Sequence, residues 1–227
     1  MTGGFVRLPP HAPGMRVGLF GGTFNPPHAG HMLVAEIALR RLRLDRLWML
    51  VTPGNPLKNT SGLPPLEDRM AAARRLARDP RIVVTGLEAE IGTRYTYDTV
   101  AWLTRRAPSL HFVWVMGADN LKQFSRWQRW GDIAALAPVA AIDRPGSSLA
   151  SLNAKAAQRF SRVRLREDDA TALAASAPPA FVFLHDRRID LSSTELRAQA
   201  PAQNSRLNFF ESDSILTMRR QASRRDT

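Results

Sequence analysis

Two histidines three residues apart, His28 and His31, close the segment Gly21-Gly22-Thr23-Phe24-Asn25-Pro26-Pro27-His28-Ala29-Gly30-His31. The apolar run 15–20 before it reads as a buried strand, and 31–39 after it carries apolar residues at helical spacing. A strand, a glycine-rich turn and a helix start aim backbone N–H groups and a helix dipole at one point, which suits an anion. At a spacing of three the imidazoles share one face of the helix start. The chemistry this invites is a nucleotide phosphate held against two rings. Taken singly, His28 fits a surface loop and His31 a helix cap, and a metal pair would want a third ligand that the neighbouring sequence lacks. A second candidate is Leu191-Ser192-Ser193-Thr194-Glu195-Leu196-Arg197. Hydroxyls at a helix start followed by a planar guanidinium can hold phosphate oxygens, although Ser192 to Glu195 also makes an ordinary capped helix start.

The elements that must position these residues alternate. Strands are predicted at 16–20, 47–52, 82–85, 111–116, 139–143 and 180–185, with helices near 30–43, 66–78, 97–106, 121–136 and 193–200. Continuous apolar strands such as Phe112-Val113-Trp114-Val115-Met116 suit a parallel sheet covered on both faces. The fold class is therefore α/β, a doubly wound, mostly parallel, Rossmann-like sheet with a small helical C-terminal portion. Ligands in such sheets bind beyond the C-terminal strand ends, where every candidate above falls. Residues 1–14 read as a flexible leader, with Met15 a plausible start. Residues 15–200 read as the α/β domain, within which 146–179 is a variable insertion, helical around 152–160 and exposed elsewhere. Residues 201–227 read as a C-terminal helix and a basic flexible tail.

Composition narrows the partners. The chain has no cysteine, which excludes disulfides and thiolate metal sites and fits a reducing cytoplasm. No stretch reaches the roughly 18 apolar residues that span a bilayer. The net charge is +12, and only Lys58, Lys122 and Lys155 of the 32 basic residues are lysines. Such a balance attracts polyanions. The arginines are scattered along helices, however, and the aromatic interleaving of single-strand binders is missing. A basic nucleic-acid-binding module is thus the alternative rather than the lead, and homo-oligomerisation stays open.

The motif from Gly21 to His31 resembles the (H/T)xGH motif of the nucleotidyltransferase superfamily, and 191–197 resembles its ISSTxIR motif. Gly117-Ala118-Asp119-Asn120-Leu121 with Phe124, Trp127 and Trp130 resembles the bacterial nicotinate-nucleotide adenylyltransferases in particular. So do Tyr95-Thr96-Tyr97-Asp98-Thr99-Val100 and Asn55-Pro56-Leu57-Lys58. The likeness runs in order over roughly residues 15–200. It implies transfer of AMP from ATP to nicotinate mononucleotide, giving nicotinate adenine dinucleotide and pyrophosphate by direct in-line attack, within NAD biosynthesis. It implies His28, His31 and Arg197 as the catalytic residues, on an ATP site that adds Gly21, Gly22, Thr23 and Phe24. Gly117, Asp119, Ser193 and Thr194 complete that site, with Asp119 on a ribose or capping the helix near Leu121. Lys58, Thr96, Trp127 and Gln128 would bind the mononucleotide, with Trp127 stacked on the pyridine ring, although Trp127 and Trp130 also fit core packing at i, i+3. Mg2+ would enter on the ATP phosphates, without dedicated protein ligands. Nicotinamide mononucleotide and phosphopantetheine are the alternative acceptors. The motif departs from relatives at Asn25, where aspartate is common, and at Pro27; the loop before Lys58 lacks a histidine that relatives often carry.

Overall fold

Six apolar runs pair side by side in a computed structural model that describes residues 6–54, 62–143 and 153–185. Lys58, the motif 191–197 and everything expected of 201–227 lie outside the described residues. The strands are β1 (Arg16–Gly22), β2 (Arg46–Val51), β3 (Ile82–Thr85), β4 (His111–Gly117), β5 (Val139–Ile142) and β6 (Phe181–Leu184). They form one sheet in the order β3-β2-β1-β4-β5-β6, and every pairing is parallel. The order reverses between β1 and β4, so the crevice beyond their C-terminal ends is where this topology receives ligands.

Alternation within the strands sorts two apolar layers. In β4, Val113 and Val115 face one cluster with Phe20, while Phe112, Trp114 and Met116 face the other with Leu19. Helices α1 (Ala29–Arg41) and α2 (Leu66–Leu76) cover the first face, and α1 presents Val34, Ala35, Ile37 and Ala38 to it. Helices α4 (Thr96–Arg106), α5 (Ala118–Phe124), α6 (Trp130–Leu136) and α7 (Lys155–Arg159) cover the second. A one-turn helix, α3 (Leu87–Glu90), links β3 to α4.

Four expectations need correction. The single helix predicted over 121–136 is two, because Arg129 takes a left-handed backbone (φ 53°) and starts α6 afresh. Trp127 therefore sits in the intervening turn, and Trp130 opens α6. Helix α5 begins at Ala118 with Gly117 at its N-cap, so Asp119 lies inside the first turn and does not cap the helix. Of the expected flexible leader, residues 6–14 are anchored at a few points while 10–14 stay exposed: Leu8 is buried in the second layer, His11 meets the Trp48 ring edge-on, and the Gly14 N–H donates to the Ser109 carbonyl. Without them the large Trp48 ring would lose part of its cover. Finally, the insertion is not exposed throughout: most of 161–179 lies at the surface as expected, but three of its residues do not. Its 3-10 segment Glu167–Ala175 buries Ala170, Leu173 and Ala174 in the first layer. Glu167 ties that segment to α1 through Arg41 (3.1 Å) and to the end of β6 through His185 (3.0 Å).

Candidate active site

The two histidines interlock. His28 is the N-cap of α1, with extended backbone, and its Nδ1 accepts the Gly30 N–H at 3.1 Å. His31, at the third helical position, returns the favour: its Nδ1 accepts the His28 N–H at 3.2 Å. This is a capping box built from imidazoles rather than from a hydroxyl and a carboxylate. Both Nδ1 atoms are acceptors, so the proton of each neutral ring sits on Nε2, where it can be donated. The rings lie 3.8 Å apart between centroids, tilted by 35°. His28 is buried at 3% exposure, whereas His31 is half-buried and is the more accessible donor.

Aromatic packing holds the pair. Phe24 has a left-handed backbone (φ 46°) that turns its ring into the core, edge-on to His31 at 5.0 Å and to Phe20 at 5.4 Å. Its ring therefore braces His31 and leaves only its backbone to meet a ligand. Gly21 and Gly22 belong to β1 itself rather than to a glycine turn. A Cβ at Gly21 would stand 2.8 Å from Trp114 Cη2, and one at Gly22 3.1 Å from the Phe24 ring. Both are glycines so that these rings can approach the strand, a packing reason that spacing alone does not reveal. Thr23 follows directly, beyond the strand end. Gly117 and Asp119 stand across the β1–β4 crevice, at the end of β4 and in the first turn of α5.

A second group gathers at the start of α4. Thr96 is its first residue, Tyr95 its N-cap, and no side chain caps it, so first-turn N–H groups are left to a ligand or water. The turn 125–129 is fastened here: the Arg129 guanidinium lies 3.6 Å above the Tyr97 ring and pairs with Asp132 at 2.7 Å. That contact ties the end of the turn that carries Trp127 and Gln128 to the first turn of α4. Trp127 is half-buried, edge-on to Phe124 (5.2 Å) and Trp114 (6.0 Å), and Gln128 is exposed.

Among the described residues, sequence reasoning missed three buried charged side chains, Arg69, Glu88 and Asp143, of which the first two are fixed by the hydrogen bonds below. Arg69, on the inner face of α2 at 3% exposure, donates through Nη1 to Thr23 O and Thr52 O, both at 2.8 Å. Its Nε donates to Pro64 O (2.9 Å) and Nη2 to Pro53 O (3.4 Å), while burial pulls its pKa below the usual arginine value. Its spacing of four from the buried Ala73 on the same helix was the available signal. Glu88, in α3, accepts from Thr99 of α4 at 3.2 Å and also bonds the Thr52 hydroxyl. Burial raises its pKa above the usual carboxylate value, against the lowering effect of those two hydrogen bonds. Rising pH therefore removes the proton from the unfolded chain before the native one, and native stability falls over that range. Glu88→Gln should raise the melting temperature more at pH 8 than at pH 4; melts showing the same difference at both pH values would contradict this. Among the described residues no group of three or more His, Asp or Glu side chains is poised around a metal, and no helix is long and apolar enough to cross a membrane.

The family described as cytidylyltransferase-like matches residues 19–199. The chain belongs to that family. It is 60% identical over 185 residues to a "Probable nicotinate-nucleotide adenylyltransferase" of Methylorubrum extorquens strain PA1, covering 82% of this chain and all of that one. A protein of the same name from Agrobacterium fabrum is 59% identical over 183 residues, covering 81% of this chain and 98% of its own. A solved structure titled Plasmodium falciparum nicotinic acid mononucleotide adenylyltransferase complexed with NaAD shares the fold at a TM-score of 0.60 and 15% identity. That likeness covers 81% of this chain and 83% of the other.

Proposed function

We infer that this protein transfers the adenylyl group of ATP to nicotinate mononucleotide, yielding nicotinate adenine dinucleotide and pyrophosphate, a step of NAD biosynthesis in the cytoplasm. The observation that carries the reading is the interlocked His28–His31 pair at the β1–β4 crevice, in a chain 60% identical to a relative bearing that name. A phosphate oxygen of the mononucleotide attacks the α-phosphorus of ATP, the bond to the bridging oxygen breaks, and pyrophosphate leaves. One anion attacks another, so the protein supplies alignment and positive charge rather than a nucleophile. His31, with His28 beside it, donates its Nε2–H to an α-phosphate oxygen, where charge grows as the bond to pyrophosphate lengthens. Ser193, Thr194 and Arg197 receive the outer phosphates, Gly117 and Asp119 the adenosine ribose, and Lys58 the mononucleotide phosphate.

The donor set suits Mg2+ carried on the nucleotide, because octahedral magnesium keeps several waters and asks for few protein ligands. When bound, it would neutralise phosphate charge and help pyrophosphate depart. Trp127 stacks on the pyridine ring, and N–H groups at the start of α4 and around Gln128 take the nicotinate carboxylate. A carboxylate accepts from every one of those donors, whereas an amide presents its own NH2 to some of them and loses hydrogen bonds.

A panel of mononucleotides with ATP and Mg2+, followed by pyrophosphate release, tests the reading. Nicotinate mononucleotide should turn over well above nicotinamide mononucleotide. Equal rates would remove the carboxylate argument. If phosphopantetheine alone reacted, the acceptor would be misassigned; if no acceptor reacted but oligonucleotides bound with a steep salt slope, the binding-module reading would replace this one.

A further inference from the structure

Arg69 lies outside every motif, yet it joins two strand ends at the rim of the crevice. Thr23 follows β1 and Thr52 follows β2, and the Thr52 N–H continues the parallel ladder to Gly22 O at 3.0 Å. One nitrogen of Arg69 then bridges the carbonyls of both threonines, and the remaining nitrogens hold Pro53 and Pro64. The guanidinium uses its planar fork on four carbonyls, a task that a single ammonium cannot match. None of these partners is a carboxylate. Among the described residues no acid forms an ion pair with Arg69, so the buried guanidinium meets only carbonyl oxygens there.

A buried cation fixed only by carbonyls costs folding free energy unless something else uses it. We propose that Arg69 is a positioning residue for phosphate binding: it clamps the Thr23 and Thr52–Pro53 backbones together and lends its charge to the anion bound at the Thr23 turn. The proposal rests on the ATP site inferred above. The charge acts through the turn, without Arg69 touching the nucleotide.

The test compares Arg69→Lys, Arg69→Met and Arg69→Ala with the parent protein by calorimetric ATP binding, kcat and KM for ATP, and thermal unfolding. Misplacing a turn by about 1 Å costs roughly 10²-fold in rate, so Arg69→Met should lose about that much in kcat/KM for ATP and bind ATP weakly. Arg69→Lys, which keeps the charge but not the fork, should fall between, and millimolar guanidinium should restore part of the activity of Arg69→Ala. A residue that only holds the fold would lower the melting temperature yet leave the KM and ATP affinity of the folded fraction unchanged, without rescue; that outcome overturns the proposal. If the Met and Ala variants do not fold, Arg69→Lys decides by its KM for ATP. Should the parent bind ATP but turn over no nicotinate mononucleotide, the functional reading fails while the ATP-binding comparison still judges Arg69.

Discussion

Replacing His31 by alanine should lower kcat by roughly 10²- to 10³-fold while the protein stays folded, the loss seen when one preorganised donor to a developing oxyanion is removed. His31 is the better target of the pair. His28 is the N-cap of α1, and losing a cap side chain costs about 0.5–2 kcal/mol, which would mix stability with catalysis. His31 returns one hydrogen bond to the cap, a net contribution of about 1 kcal/mol, and native domains carry several times that. The KM for ATP should change little, because the donor matters most as charge accumulates on the α-phosphate. Pre-steady-state measurement of AMP transfer alongside a thermal melt separates the two effects. A folded variant with near-parental kcat would remove His31 from the mechanism and return it to helix capping alone.

The parallel sheet was legible because its strands are buried on both sides and therefore read as unbroken apolar runs; β4 is the plainest case. The predicted strand limits fall within two residues of the observed ones for the same reason. The break at 125–129 was not legible. It rests on a left-handed arginine, not on glycine or proline, and is held by a cation–π contact with a helix some thirty residues earlier in the chain. No glycine or proline between Ser125 and Arg129 marks it in the sequence. The His28–His31 pair stood out by residue type and spacing, but the reciprocal caps that fix both tautomers are three-dimensional. Gly21 and Gly22 carry the opposite lesson. Their type drew attention to the right loop, while the structure gives their reason as clearance for Trp114 and Phe24. Arg69 escaped because an arginine on an arginine-rich helix looks like surface, and only Pro64, Thr23, Thr52 and Pro53 closing over it reveal otherwise.

Phe124→Ala should combine the largest stability loss with a specific kinetic defect. Phe124 is fully buried at the end of α5, and its ring meets Trp127 at 5.2 Å, Trp130 at 6.0 Å and Phe160 at 6.2 Å. Removing a buried phenyl group leaves a cavity and typically costs 3–5 kcal/mol. Here the cavity opens beneath the turn that carries Trp127, whose other ring neighbour, Trp114, touches only its edge. Trp127 should therefore tilt inward to fill the space, moving its face and the neighbouring N–H groups away from the start of α4. The consequence is a KM for nicotinate mononucleotide raised about tenfold or more, since a stacked ring and a positioned donor each contribute on the order of 1–2 kcal/mol. ATP affinity should be nearly unchanged, because His31 is braced by Phe24 and Phe20 in the opposite layer of the sheet. Trp127→Ala should reproduce the KM defect with a much smaller loss of melting temperature. A Phe124→Ala protein that melts several degrees lower but keeps the parental KM for the mononucleotide would show that this aromatic cluster serves the core alone, and would count against Trp127 as the pyridine's stacking partner.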